Sequence, residues 1–149
     1  MATGDVFTSY SFTADFGGLQ VETLQSVSTP TMQIDVVEVR QVSATGEPIL
    51  RKQPAVRPQG GEITVTRGMD KSKAFTDWIN MTLEKKDIAN ARKHVTIVQY
   101  DADKKPVLRY HLNNAWASQL KGADLDASST NPATEQVTIT YEECTVERV

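Results

Sequence analysis

The chain has little of most things that announce chemistry. Of its 149 residues one is cysteine and two are histidine. With Cys144 alone no intrachain disulfide can form, and two histidines with one cysteine cannot assemble a structural zinc set. No run approaches the ~20 apolar residues that span a bilayer. The opening "MATGDVFTSYSFTADFGG" lacks a basic start followed by an apolar stretch. A protein made and folded in the cytoplasm is therefore expected, without stable membrane insertion. Charge is nearly balanced, at −3 net, which gives no basic patch for phosphate. There is no GxSxG, no phosphate loop and no dinucleotide fingerprint. No cofactor and no catalytic constellation is expected.

What the chain does have is alternation. "SYSFTADF" (9–16) places Tyr10, Phe12, Ala14 and Phe16 on one face. "GG" at 17–18 then predicts a two-residue turn into a hairpin whose second arm is 19–27. "MQIDVVEVRQV" (32–42) predicts a third strand, with a phase change at Val36–Val37 that suggests a bulge or burial on both faces. Residues 43–61 hold Pro48, Pro54 and Pro58, which deny ladder donors, so this segment reads as a long loop or a loosely paired arm. "EITVTR" (62–67), 94–100, 107–117 and 135–146 complete about seven strands. A single helix is expected in 70–86, with Asp70 as N-cap and Phe75, Trp78, Ile79, Thr82 and Leu83 as its stripe. The fold class is mainly β, a small barrel or sandwich in one domain over residues 1–149 with one flanking helix.

The candidate sites resolve to structural roles. His111 falls at the polar phase of its strand beside Arg109 and Asn113, as a solvated residue. "DADKKP" (101–106) has a proline where a calcium loop requires glycine. Asp124 and Asp126 are read as turn caps. Trp116 shares the phase of Leu108, Tyr110 and Leu112, which points to the core or a subunit contact. Open sheet edges remain a liability unless the sheet closes or another chain completes it.

Two blocks carry a resemblance. In 62–79 a strand ends in Arg67-Gly68 and is followed by a helix with Phe75 and Trp78. In 106–143 come Asn114-Ala115-Trp116, a turn with Gly122 and Leu125-Asp126, and a last strand introduced by Glu135. The pattern resembles the inner tube proteins of contractile phage tails and of phage-tail-like contractile injection systems. It departs from that family at Ala117, where a proline is common, and in the segments 26–32 and 43–61. The resemblance implies hexameric rings joined edge to edge and stacked into a hollow tube inside a contractile sheath. Baseplate, spike and terminator proteins would be partners, and protein cargo would occupy the lumen; nucleic acid would do so only in a phage. It also implies that the 43–61 arm, with Glu47, Pro48, Arg51, Lys52, Pro54 and Arg57, reaches the next ring. A monomeric barrel holding an apolar ligand among Phe12, Phe16, Tyr110 and Trp116 is the competing expectation.

Overall fold

A computed structural model describes residues 4–6, 9–19, 21, 24–55 and 60–149. Among them are nine strands: β1 (Phe12–Phe16), β2 (Leu24–Val27), β3 (Asp35–Val42), β4 (Pro48–Ala55), β5 (Gly61–Gly68), β6 (Lys93–Tyr100), β7 (Pro106–Gly122), β8 (Thr134–Tyr141) and β9 (Glu143–Arg148). Two helices, α1 (Ala74–Leu83) and the short α2 (Ile88–Ala91), lie between β5 and β6. The two strands beyond the expected seven have separate origins. One is β4, in the segment read as a loop; the other arises because the last strand breaks at Glu142.

The main sheet runs β1-β6-β7-β8-β5-β2, with β9 also paired to β7. The seventeen-residue β7 belongs to both halves. Its first part pairs with β6 and β9 and its second with β8. Strict alternation in β5, β6 and β8 turns Ile63, Val65, Val95, Ile97, Val137 and Ile139 into a shared core between the halves. α1 closes one end of that core. Phe75 meets Phe16 edge to face at 5.6 Å, and Trp78 lies 6.2 Å from the same ring. The Trp78 indole N–H donates to the Ala91 carbonyl at 2.7 Å and so fastens α1 to α2.

Several local expectations change. Gly17 and Gly18 do turn the chain with positive φ, and Phe16 bridges Leu19. Among the described residues the hairpin goes no further than that bridge, because β1 pairs with β6 while β2 pairs with β5. A side chain at Gly17 would meet Lys93 Cβ at 2.8 Å, so the turn sits hard against β6. Tyr10 lies outside β1 and is exposed. Asp70 is not the cap of α1: Lys73 holds that position without a side-chain bond. Leu83 leaves the stripe and faces solvent.

The largest change concerns Trp116. Asn114 has φ +51°, a left-handed conformation that inserts a step into β7. Leu112 is buried before the step, Ala115 and Ala117 after it. Trp116 is thereby turned to the outer face and half-buried under Arg92, whose guanidinium lies 5.9 Å from its ring. Asn114 Nδ2 donates to Glu142 at 3.0 Å, opposite the break between β8 and β9. Asn114→Val should cost about 1–2 kcal/mol, the penalty of a left-handed β-branched residue. Asn114→Gly should stay within about 1 kcal/mol of the parent. Paired urea melts separate the two; equal losses would remove backbone conformation as the cause.

Candidate functional site

Two regions collect the residues singled out by sequence. The first is buried. Arg67, next to last in β5, has no exposed surface, and Glu135, near the start of β8, lies directly opposite it in register. Arg67 Nε donates to Glu135 Oε1, Nη1 to Asp70 Oδ1 at 3.1 Å, and Nη2 to the Ser72 carbonyl at 3.0 Å. The guanidinium also stands 5.7 Å from the Phe75 ring centre. One side chain thus joins two strands, the loop after β5 and the first turn of α1. Burial opposes the Arg67 charge, but the bonds to Asp70 and Glu135 outweigh it and raise its pKa. Asp70 is held below the usual carboxylate range by the Ser72 backbone N–H and then by Arg67. Its depressed value means that the stability it supplies is complete above the ordinary carboxylate pKa. That contribution is lost as pH falls through the lowered one.

Gly68 pairs with Thr134, and Gly122 pairs with Glu135, so both glycines lie at this same end. With Phe75 and Trp78 they make one constellation. Asn114, Ala115 and Trp116 do not join it; they form the step in β7 beside α2. Leu125 and Asp126 sit in the loop between β7 and β8. Asp126 caps a turn there, accepting from the Ser128 N–H at 3.0 Å and from its hydroxyl at 2.8 Å. These bonds hold its carboxyl below the usual range. Leu125 is 94% exposed.

The second region is the hairpin of β3 and β4, a separate two-stranded sheet with unbroken register from Asp35↔Ala55 to Val42↔Pro48. Neither a bulge nor two-sided burial marks Val36–Val37, since both are exposed. Register puts Val36, Val42, Pro48, Leu50 and Pro54 on one face and Val37, Val39, Ile49 and Ala55 on the other. Val36, Val37, Val42, Ile49 and Leu50 are all open to solvent. Glu38 pairs in register with Lys52, and Val39 with Arg51. Glu47 closes the turn, its N–H donating to Ser43 Oγ at 3.0 Å. Pro48 and Pro54 are accommodated because, among the described residues, β4 has no strand on its other side. Arg57 lies outside the described residues.

A cleft of about 250 Å³ opens between the β1 and β2 edges, lined in part by Phe12, Val27, Ile97 and Tyr110. Of the four residues expected around an apolar ligand, only Phe12 and Tyr110 reach it. Phe16 is spent in the core and Trp116 lies on the outer face. Sequence reasoning missed the Arg67–Glu135 pair as a pair, because its members stand 68 positions apart with no local signal.

The fold is shared with solved structures. The anti-feeding prophage cap (AFP tube terminating cap) is 22% identical with a TM-score of 0.75, over 100% of this chain and 95% of that one. The PVC sheath–tube complex of an extracellular contractile injection system, in the extended state, contains a chain 20% identical with a TM-score of 0.76. That match covers 99% of this chain and 95% of the other. Hcp1 from Flavobacterium johnsoniae is 17% identical at a TM-score of 0.56, over 94% and 97% of the two chains. No curated protein matches by sequence. The family model described as T4-like virus tail tube protein gp19 matches residues 8–145. Spanning nearly all of the chain, that match makes this protein a member of the tail tube protein family.

Proposed function

We propose that this protein is the structural subunit of the inner tube of a contractile injection particle. Six copies pair edge to edge into a ring, rings stack into a hollow tube, and a contracting sheath drives the tube through a target envelope with cargo in its lumen. The observation that carries this reading is the unfinished β structure. Among the described residues, β1 and β2 end the main sheet with no strand on their outer sides, and the β3–β4 hairpin forms a sheet of its own with apolar residues exposed on both faces. A lone two-stranded hairpin is marginal in water, and open edges invite another chain. Sister copies satisfy both needs.

The hairpin then becomes the inter-ring element, with Glu47, Pro48, Arg51, Lys52 and Pro54 at its turn and along β4, and Arg57 beyond them. The Arg67 constellation is a structural brace at the entry to α1, and the protein has no catalytic role. The similarity to a sheath–tube complex and to a tube terminating cap supports a sheath and a terminator as partners. A baseplate with its spike completes the set expected of such a particle. No helix among the described residues is long and apolar enough to cross a membrane. Assembly in the cytoplasm, before any release, accords with this reading. The outer face around β8 offers Ser118, Thr138 and Thr140 hydroxyls, bonded Thr140 Oγ1 to Ser118 Oγ at 2.8 Å, a surface that would not hold charged cargo.

The family model derives from phage tails, which favours a second reading in which the same subunit builds a phage tail tube that conducts nucleic acid. Negative-stain microscopy of purified protein should show six-fold rings or stacked tubes. Monomers of 16.5 kDa at high concentration, still unassembled when co-expressed with sheath and baseplate, would overturn the tube reading. Nuclease-protected DNA in isolated particles would select the phage form.

A further inference from the structure

The outer face of β6, β7 and β9 carries a row of polar side chains that the tube reading does not use. His94 on β6 and His111 on β7 approach each other, His94 Nε2 lying 3.4 Å from His111 Nδ1. Each ring has an oxygen partner at its other nitrogen. His94 Nδ1 is 2.8 Å from Asn113 Oδ1, and His111 Nε2 is 3.2 Å from Glu147 Oε2. Arg109 Nη1, 3.4 Å from Glu147 Oε1, steadies that carboxylate from the other side.

The proton placement follows from the partners. A carboxylate and an amide oxygen accept, so each outer ring nitrogen carries hydrogen and donates. The two inner nitrogens are then bare lone pairs facing one another. Two acceptors in that position are reconciled either by a second proton on one ring, which then donates to the other, or by a cation bound to both. Zinc–nitrogen bonds are about 2.0–2.1 Å, and two of them at the tetrahedral angle set their nitrogens about 3.4 Å apart. The gap observed is 3.4 Å. The outer contacts also match the support that metal-bound imidazoles usually have, in which the far N–H is held by a carboxylate or an amide or carbonyl oxygen.

We propose that His94 Nε2 and His111 Nδ1 form a bidentate site for a divalent transition-metal ion of borderline softness, such as zinc, nickel or copper, with Asn113 and Glu147 as positioning residues. Imidazole is the ligand these ions share. No group of three or more His, Cys, Asp or Glu side chains converges among the described residues, so water fills the remaining coordination positions. The site bridges β6 and β7, and through Glu147 it reaches β9. It does not depend on the tube reading.

The test is calorimetric titration of the purified protein with zinc chloride, repeated with copper(II) and followed by electron paramagnetic resonance. One ion per chain is expected, with nitrogen hyperfine structure from two imidazoles. His94→Ala and His111→Ala should each weaken binding at least about tenfold, and Glu147→Gln by about tenfold through the far nitrogen. All three positions are on the surface side of the sheet, and circular dichroism checks that the variants fold. Binding by the double variant His94→Ala/His111→Ala that equals the parent, or no binding by the parent, would overturn the proposal. So would a copper spectrum lacking two-nitrogen ligation.

Discussion

Arg67→Met is expected to lower the unfolding free energy by about 3–5 kcal/mol, the usual cost of stranding one member of a buried ion pair. The stranded group is Glu135, 7% exposed and paired in register with the lost cation. Asp70 and the Ser72 carbonyl lose a donor in the same step. For a chain of this size each kcal/mol moves Tm by roughly 2–4 °C, so a shift of about 10 °C should appear by calorimetry. The companion variant Arg67→Met/Glu135→Met removes both charges and should recover most of the loss, because an apolar replacement of both partners is often neutral. If the single variant loses less than about 1 kcal/mol, which is the range of an exposed pair, Arg67 is not the brace described. No recovery in the double variant would place its value in the contacts to Asp70 and Ser72 instead.

The second large effect concerns assembly rather than folding. Val36→Asp/Leu50→Asp places two carboxylates on one face of the β3–β4 hairpin. Both residues are solvent-exposed in the single chain, at 65% and 59%, so circular dichroism and the melting temperature should barely change. Burying a valine or leucine is worth about 1.5–3 kcal/mol. Losing two such contacts weakens each ring-to-ring junction by at least about a hundredfold. Sedimentation and negative-stain images should then show rings or small oligomers where the parent gives tubes. Tubes of unaltered length would show that this face of the hairpin is not the junction.

Much of this was legible in the chain, and the residues explain what was not. Period-two alternation in 62–67, 94–100 and 135–141 located the core strands, because each has one face on the apolar interior. The helix was legible from Phe75 and Trp78, which do bury. The pairing of β1 was not, because Gly17–Gly18 fits a hairpin turn equally well when the two arms part into different halves of the sheet. The strand in 48–55 was hidden by its prolines, which exclude a central strand but allow an edge. The orientation of Trp116 depended on a left-handed residue at Asn114, and a count of alternating positions cannot see such a step. The His94–His111 contact also lay beyond sequence reading. It depends on which strands neighbour one another, and the polar phase alone reads as solvated surface.

Because β7 crosses from one half of the sandwich to the other without leaving the covalent backbone, the two layers cannot be prised apart by breaking hydrogen bonds alone. A push along this strand loads a continuous peptide, with the Asn114 step and the register shift between Ala117 and Gln119 as bent links. In the driven tube proposed above, that would give each subunit an internal tendon resisting shear between its layers.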